Sequence, residues 1–492
     1  MKRMRWLVAM VAVLSLFAAA CSAAEDAAET ATDAASDAAD AATDAAEDAV
    51  DAAEDVVEDA MDDDEGEDAM DDGEDAMEEP AELASDYGVT EDTIRVGMSA
   101  DLSGPFAALT SVIVDAQTAY FDRVNENGGI AGREVELVIL DNAYDVPTQL
   151  DNYAELSEES EEGVVMISQS TGSPHTSAIA ADLADDDLLA VPLSWYSGWV
   201  DPDFGSNVFE LYTNYCFEGM NGVEFLANQS EAASPTLAVV TRPGEYGQDG
   251  AAGAKIAAEA LGLEIVYDGE GAVEGDDFTP IITELVAAQP DIVWITTAPS
   301  QTAQIIGGAF AGGLTSAIWS GSSPSYNVAL LDTAVGPALD AAYFHSTYTA
   351  LWGANEEPGM VDMMETLTER IPTANYAQAD TFIVGWTEAM FTEAVLRAAA
   401  ESGDMTRAGV LAAANNVSVD FGGLAPDQEW FGDPNDFAVR ESYIYDVVLA
   451  DATVATPITE PGSSGLVLVE GPYVGDVAAS YEFNEPCFIS EG

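Results

Sequence analysis

Between residues 94 and 312 the sequence alternates short apolar runs with longer amphipathic stretches, and this alternation most constrains the fold. Apolar runs of five to seven residues are typical of buried strands, and the stretches between them have helical spacing. Alternation of this kind predicts parallel sheets covered by helices on both faces. Two such series fit in about 240 residues, so the sequence predicts two doubly wound α/β lobes rather than one large sheet.

The two series are predicted element by element. In the first, the strands are 94–99, 134–140, 164–168 and 188–192, and the helices are 111–127, 148–161 and 174–184. In the second, the helices are 217–229, 249–261, 278–289 and 301–312, and the strands are 236–241, 263–268 and 292–297. Since ligands of such sheets bind beyond the carboxyl ends of the strands, the loops that follow the strands are the candidate functional segments.

Residues 1–20 have the pattern of a secretory signal peptide. Three basic residues precede an apolar run that ends in alanines directly before Cys21, and the run is too short to hold a bilayer. Residues 16–21 also resemble a bacterial lipobox, which predicts lipidation of Cys21. Ordinary secretion with an unmodified Cys21 is the alternative. The preferred hypothesis is an exported chain anchored to the outer face of the cell membrane, extracellular or periplasmic.

Residues 21–86 are predicted to form an acidic tether. From Ser22 to Asp86 there are 28 acids and no base, mostly as Asp or Glu between pairs of alanines. Alanine favours a helix, but like charges three and four residues apart repel each other and no lysine pairs with them. A semi-rigid helix and a disordered polyanion therefore remain alternatives. Either one would hold the folded region away from the membrane.

Charge and cysteine content exclude several functions. A formal net charge of −79 argues against binding of nucleic acid or an anionic membrane surface by the chain's own field. Two histidines and three cysteines are too few for a zinc cluster built on those ligands, and no cofactor or metal is predicted. Apart from Cys21, the cysteines are Cys216 and Cys487. In an exported chain this even number predicts one disulfide, with two buried free thiols as the alternative.

The loops after the predicted strands are rich in hydroxyl and aromatic side chains and poor in charge. These loops are residues 100–108, 169–173, 193–199, 241–247 and 297–300. Ser173 suits a helix N-cap and Pro174 the first helical position, so a helix begins where its free N–H groups can hold a carboxylate. The composition suits a small polar organic ligand held between two walls.

Three segments carry a family resemblance. Ile-Arg-Val-Gly at 94–97 with Asp-Leu-Ser-Gly-Pro at 101–105, Asn-Glu-Asn-Gly-Gly-Ile-Ala-Gly-Arg at 125–133 and Tyr-Gly at 246–247 resemble the type I periplasmic solute-binding proteins, in particular the branched-chain amino-acid receptors of ABC transporters. The resemblance covers residues 88–450. It implies two lobes that close over one ligand around a three-stranded hinge, with lobe 1 at 87–205 and 336–432 and lobe 2 at 206–335 and 433–492.

The resemblance also implies ligand-binding positions. Two hydroxyl-rich loops of lobe 1 would hold a carboxylate, one tyrosine would reach in from lobe 2, and the first loop would form a wall. On this sequence these positions are Ser170 and Thr171 with Gln169 beside them, Ser194 and Trp195, Tyr246, Phe106 and Ala108, and Tyr376 as a further lobe-1 contact. Trp195 is weighed equally as a core residue.

One departure from the family pattern affects the choice of ligand. The turn whose acid binds an amino-acid ammonium group in the family reads Gly-Ser-Ser-Pro at 321–324, with Ser323 as the side chain offered to the ligand. No carboxylate stands there, which puts an α-amino acid in doubt. Amides, urea-like compounds and small carboxylates remain alternatives to an amino acid.

The function predicted is a solute-binding lipoprotein that captures a small polar ligand and delivers it to an ABC permease, and a monomer is expected. A sensor that signals to a membrane partner is the second hypothesis, since the capture chemistry would be identical. A hydrolytic enzyme is the third, but the sequence has no Gly-x-Ser-x-Gly elbow and no paired-cysteine metal motif.

Overall fold

The structure, a computed structural model, describes residues 83–201, 204–372, 379–449 and 465–489. In chain order its strands are β1 Ala84–Ser85, β2 Thr93–Ala100, β3 Glu134–Asp141, β4 Met166–Thr171, β5 Ala190–Leu193, β6 Thr236–Thr241, β7 Glu264–Gly269, β8 Ile292–Thr296, β9 Ile318–Gly321, β10 Tyr343–Thr347, β11 Asp404–Met405, β12 Ser418–Val419, β13 Gln428–Glu429, β14 Ser442–Val447 and β15 Leu466–Tyr473. The predicted signal peptide, Cys21 and residues 22–82 of the predicted tether lie outside the described residues.

The helices cover the faces of the sheets. In chain order they are α1 Ala107–Glu126, α2 Val146–Leu156, α3 Ser173–Asp185, α4 Tyr215–Gln229, α5 Gly244–Leu261, α6 Thr279–Ala288, α7 Pro299–Ala311, α8 Gly336–Ala342, α9 Pro358–Arg370, α10 Ala379–Ser402, α11 Arg407–Ala414, α12 Pro434–Phe437 and α13 Asp476–Ser480. None of the helices within the described residues combines the length and the apolar character that crossing a membrane requires.

Two main sheets organise the described chain. The first has four parallel strands in the order β3-β2-β4-β5, and the second has seven in the order β15-β14-β10-β9-β8-β6-β7. The second sheet is parallel from β10 to β7, and β14 runs antiparallel to both of its neighbours. The predicted fold class, two parallel-sheet α/β lobes, is confirmed.

In lobe 1, α1 and α10 approach each other closely beside the first sheet. A Cβ placed on Gly385 would lie 2.4 Å from the carbonyl oxygen of Ile113, so this contact requires a glycine. Buried hydrogen bonds cross the same interface: Gln117 donates to Glu388 (2.7 Å), and Ser168 donates to Gln117 (2.9 Å). These bonds satisfy polar groups in an otherwise apolar contact, which would be costly to leave unpaired.

In lobe 2, α4 and α5 pack backbone to backbone. A Cβ on Gly253 would lie 1.9 Å from the carbonyl oxygen of Cys216, and one on Gly222 would lie 2.1 Å from the Trp294 ring. The Trp294 side chain of β8 is fully buried in the cluster that these helices cover. Small residues on the helices therefore make room for the largest side chain of the sheet.

Two boundaries lie elsewhere than the sequence predicts. Strand β10 pairs with β9 and β14, so the chain stays in lobe 2 as far as Thr347. The predicted return to lobe 1 at residue 336 is corrected accordingly, because a strand that completes the second sheet follows it. At the other end of the fold, β1 pairs with β11, so the folded region begins by Ala84, before the predicted end of the tether at Asp86.

Residues 481–489, here called the C-terminal strap, contact both lobes. Cys487 forms a disulfide with Cys216 of α4 in lobe 2, and its backbone N–H donates to Ser197 Oγ (2.8 Å). The Tyr196 hydroxyl, from the loop after β5 in lobe 1, donates to the carbonyl oxygen of Phe488 (2.6 Å). The strap is thus a covalently fixed connection across the lobes, in addition to the chain crossings.

Candidate functional site

A cavity, here called the cleft cavity, lies between the two lobes at the carboxyl ends of the parallel strands. It encloses about 610 Å³, part of which is the opening to solvent. Its lining comprises Phe106, Leu109, Thr110, Ile113, Tyr144, Thr171, Gly172, Ser173, Leu193, Trp195, Thr381 and Val384 from lobe 1, and Tyr215, Tyr246, Ser323, Pro324, Tyr326, Thr347 and Tyr348 from lobe 2 and the crossing that follows it.

Aromatic rings form most of the walls and meet across the cleft. The Phe106 ring in lobe 1 lies edge-on to the Tyr246 ring in lobe 2, with centroids 6.0 Å apart. Tyr246 also contacts Tyr215 (4.8 Å), and Trp195 contacts Tyr348 (4.3 Å). Aromatic pairs at such separations add stability beyond their buried area, so the rings hold the two walls in register.

The start of α3 supplies the polar end of the cavity. Thr171, Gly172 and Ser173 all line it, and the first N–H groups of α3 have no partner within the helix. Gly172 has a φ of 103°, and a Cβ there would lie 2.3 Å from His175 Nδ1, so the turn requires glycine. Two hydroxyls beside a helix N-terminus form an arrangement that favours an anion such as a carboxylate.

Among the described residues, no charged side chain lines the cleft cavity. Arg242 stands outside the wall, with its Cζ 5.8 Å from the Tyr144 ring centroid, and donates to Gln301 (2.9 Å). Glu218 lies behind Ser323, whose backbone N–H donates to Glu218 Oε1 (3.0 Å). Burial raises the pKa of Glu218 well above its ordinary value, because it disfavours the charged carboxylate.

Five of the sequence-predicted ligand residues line the cavity: Phe106, Thr171, Trp195, Tyr246 and Ser323. The others that the structure describes lie elsewhere. Ala108, Gln169, Ser170 and Ser194 are not among the lining residues. Tyr376 lies outside the described residues.

Ser170 and Gln169 lie behind the wall because β4 extends farther than predicted and includes them. The Ser170 hydroxyl pairs with the Thr176 hydroxyl (2.8 Å), and the Gln169 amide donates to Thr171 Oγ1 (3.0 Å). Both residues therefore position Thr171 and the start of α3 rather than facing the cavity. The Ser194 hydroxyl is likewise taken up by Ser173 (2.6 Å) and by the Trp199 indole N–H (3.2 Å).

The prediction of site residues missed four tyrosines that line the cavity. Tyr144 follows β3 and has a φ of 54°, in the left-handed region, and it lies directly after a parallel strand as the predicted loops do. Its position directly after β3 could therefore have identified Tyr144 as a candidate lining residue. Tyr348 follows β10, a strand that the sequence analysis did not assign. Tyr215 begins α4, and Tyr326 follows the Ser323 turn.

The described residues contain no candidate metal site. None of their groups of three or more His, Cys, Asp or Glu side chains is arranged to hold a metal ion. His175 is buried against the Tyr144 ring, with centroids 4.4 Å apart. Burial lowers the pKa of His175, so its ring is neutral near pH 7.

Asp249 of α5 links the lobes beside the cavity. Its carboxyl accepts hydrogen bonds from the backbone N–H (3.0 Å) and the hydroxyl (2.5 Å) of Ser197, which lies in lobe 1. Burial raises the pKa of Asp249 from 3.8 to about 7, in spite of these bonds. Between about pH 4 and pH 7, the Asp249 carboxyl is therefore mostly protonated in the folded protein and mostly ionised in the unfolded chain.

We expect protonation of the Asp249 carboxyl to stabilise the folded protein fully below about pH 4. This stabilisation should be lost as the pH rises through 7. The difference is about 4 kcal/mol at most, from three pKa units at 1.36 kcal/mol each. Urea unfolding between pH 5 and 8 measures it, and Asp249→Asn should flatten the slope. Asp185→Asn, at an exposed acid, is the matched control and should leave the slope as it is. Equal slopes in wild type and Asp249→Asn would contradict this expectation.

Comparisons with known proteins agree with this architecture. A family model described as "Periplasmic binding protein" matches residues 93–453. A fatty acid ABC transporter substrate-binding protein from Thermomonospora curvata is 26% identical, has a TM-score of 0.70, and the match covers 81% of this chain and 97% of that protein. A branched chain amino acid ABC transporter structure from Thermus thermophilus with bound valine is 18% identical, has a TM-score of 0.65, and covers 79% and 98%. The latter likeness concerns the fold alone.

A curated relative matches over a shorter length. The leucine-, isoleucine-, valine-, threonine-, and alanine-binding protein of Pseudomonas aeruginosa is 26% identical over 218 residues, which are 43% of this chain and 55% of that protein. The chain thus aligns with about half the length of that relative.

Proposed function

The chain belongs to the periplasmic binding protein family, and we propose that it captures a small apolar carboxylate between its lobes and delivers it to an ABC permease. The observation that carries the proposal is the lining of the cleft cavity, which combines aromatic walls from both lobes with the hydroxyls and helix start at Thr171–Ser173. The members of this family serve transporters as substrate-binding proteins rather than as enzymes.

Capture would proceed by closure of the lobes. Phe106 and Thr171 belong to lobe 1, and Tyr246 and Ser323 belong to lobe 2, so a ligand touches all of them only when the lobes are closed. The full affinity then belongs to the closed state alone, and the ligand shifts the population toward it. A permease that recognises the closed state would thereby distinguish loaded from empty protein.

A carboxylate is favoured over an α-amino acid for an electrostatic reason. The start of α3 offers N–H groups and hydroxyls to an anion, whereas the described lining has no carboxylate for an ammonium group. Glu218, the acid behind Ser323, does not line the cavity, and burial raises its pKa well above the ordinary value. An ammonium group buried without an anionic partner is costly. The fatty-acid receptor at 26% identity adds independent support for an apolar carboxylate.

A panel of matched ligands tests the ligand class. 4-Methylpentanoate, leucine and 4-methylpentanamide share one apolar body and differ only in the ammonium group or in the charge of the head. We expect 4-methylpentanoate to bind at least about tenfold more tightly than either, a difference of about 1.4 kcal/mol. Isothermal titration calorimetry on the purified protein measures the three affinities.

The outcomes of the panel separate the ligand class from the receptor function. If leucine binds more tightly than 4-methylpentanoate, the carboxylate proposal is wrong and the receptor function stands. If a wider panel of amino acids, amides, urea and carboxylates gives no saturable binding, the receptor function itself is contradicted.

We also propose that the protein is held at the outer face of the membrane through lipidated Cys21, with residues 22–83 as the spacer. The support is the basic and apolar pattern of residues 1–20, which ends directly before Cys21, and the extracytoplasmic place of the family. Mass spectrometry of the mature N-terminus is expected to find a diacylglycerol-modified Cys21 as the first residue. An unmodified cysteine there would contradict the anchor and leave ligand capture unaffected.

A further inference from the structure

A second cavity, here called the crossing cavity, lies against the segments by which the chain passes between the lobes. It encloses about 920 Å³ of non-atom space, including its opening to solvent. Residues of the segments 199–200 and 205–212 form one side, and residues of the segment 428–439 form most of the other. Tyr212 lines this cavity and stacks on Tyr348 of the cleft cavity, with parallel rings 4.8 Å apart, so the two cavities are distinct.

Glu210 is the acidic residue among those that line this cavity. The residue is 4% exposed, and its Oε1 is buried without a hydrogen-bond partner. Its backbone is fixed, because its carbonyl oxygen accepts from the Trp430 indole N–H (2.6 Å) and from the Gln428 amide (3.0 Å). A buried acceptor without a partner costs free energy that a bound donor would recover.

Aromatic rings make up much of the remaining wall. Those that line the cavity are Trp199, Phe209, Tyr212, Trp430, Phe431 and Phe437. The described lining includes no Lys, Arg or His. Aromatic faces attract cations, and a set of rings with one carboxylate is the arrangement by which proteins bind quaternary and other alkylated ammonium ions.

We propose that the crossing cavity binds an organic ammonium ion, with Glu210 as its counter-ion and the surrounding rings as its apolar cage. Its alkyl groups would contact the rings, and its positive charge would face the one acid of the lining. An inorganic cation would leave the apolar walls unused, and a neutral apolar molecule would leave the Glu210 carboxyl unpaired.

The protonation of Glu210 gives the proposal an additional readout. Burial, together with the Asp249 and Glu218 carboxyls that act on it, raises the pKa of Glu210 well above its ordinary value. The empty site therefore favours the protonated carboxyl more than a solvated glutamate does. An ammonium ion favours the ionised carboxylate, so binding should release a proton and should become tighter as the pH rises.

Choline and 3,3-dimethylbutan-1-ol are a matched pair of probes, because they have nearly the same shape and differ in the charge. On the purified full-length chain, calorimetry at pH 8 is expected to give saturable choline binding that is at least tenfold tighter than binding of the alcohol. Repeating the titration in buffers with different ionisation enthalpies should detect the release of a proton. Absence of saturable choline binding, or equal affinity for the two probes, would overturn the proposal.

Three variants locate the site. Glu210→Gln keeps the size of the side chain, cannot carry the negative charge, and should weaken choline binding at least tenfold. Glu388→Gln changes an equally buried acid that does not line the cavity and should leave choline binding unchanged. Phe431→Leu alters an exposed ring at the cavity wall, which the fold does not need, and should weaken binding severalfold even if Glu210→Gln fails to fold. Full choline affinity in both cavity variants would place the binding elsewhere and overturn the assignment.

Discussion

Replacing Tyr246 with alanine is expected to weaken ligand binding about a hundredfold, roughly 3 kcal/mol. The Tyr246 ring is the lobe-2 partner of Phe106 across the cleft (6.0 Å) and packs on Tyr215 (4.8 Å), so its removal opens the wall on the side where the lobes meet. Titration calorimetry with the tightest ligand of the panel measures the loss.

The hydroxyl and the ring of Tyr246 have separable roles. The hydroxyl donates to the carbonyl oxygen of Thr297 (2.9 Å) and lies within hydrogen-bond distance of Ser322 (3.0 Å), so it is used inside lobe 2 and not by the ligand. Tyr246→Phe keeps the ring and should lose affinity only about fivefold, about 1 kcal/mol. If the alanine variant bound as tightly as the phenylalanine variant, the ring would not form part of the binding wall.

Stability must be measured alongside affinity in these variants. The alanine variant leaves a cavity in lobe 2 and exposes the Ser322 turn, so its melting temperature without ligand should also fall. Tyr267→Ala, at a half-buried tyrosine of β7 away from the cleft, is the control for a general loss of packing. It should lower stability and leave ligand affinity within about twofold, because it does not line the cleft cavity.

The fold could be predicted from the sequence because its determinants are local. The strands β2, β3 and β4 of the first sheet are each followed by a helix of the same lobe, and the predicted strand 236–241 coincides with β6 Thr236–Thr241. The return to lobe 1 could not be placed in the same way. Strand β10 Tyr343–Thr347 contains His345 and two hydroxyl residues and follows a short helix. Its place is decided by pairing with β9 and β14, which is tertiary information.

The binding wall could be predicted only in part, for a geometric reason. Parallel strands direct the loops that follow them to one edge, and Thr171 and Trp195 both line the cavity at that edge. Which of two neighbouring residues faces the cavity depends on where the strand ends, because side chains alternate between faces. Strand β4 continues to Thr171, so Ser170 faces the buried Thr176 and Gln149 side chains instead. A shift of a few residues in a strand end thus decides which side chain faces the cleft cavity.

Removal of the disulfide is expected to cost about 4 kcal/mol of stability. Cys216 and Cys487 are 271 residues apart in sequence. The chain-entropy model gives a stabilisation of roughly 5 kcal/mol for a loop of this size, and measured stabilisations are usually smaller than the model value. For a domain of about 400 residues this corresponds to a fall in melting temperature of roughly 5 °C. The double variant Cys216→Ala, Cys487→Ser avoids burying a hydroxyl at Cys216, which is fully buried in an apolar cluster.

The reductant supplies the matched control, since it breaks the bond without changing the sequence. Wild-type protein in dithiothreitol should melt close to the double variant, and the double variant should be insensitive to the reductant. The strap also joins the lobes through the Cys487 N–H to Ser197 and the Tyr196 hydroxyl to Phe488. Once the covalent anchor is gone, only non-covalent contacts hold residues 481–489, among them the hydrogen bonds between Asn435 and the Phe483 backbone and from Arg440 to the Tyr481 carbonyl oxygen. Proteolysis of the strap should therefore become faster than that of the rest of the fold. An unchanged melting temperature after reduction would contradict the expected stabilisation by the disulfide.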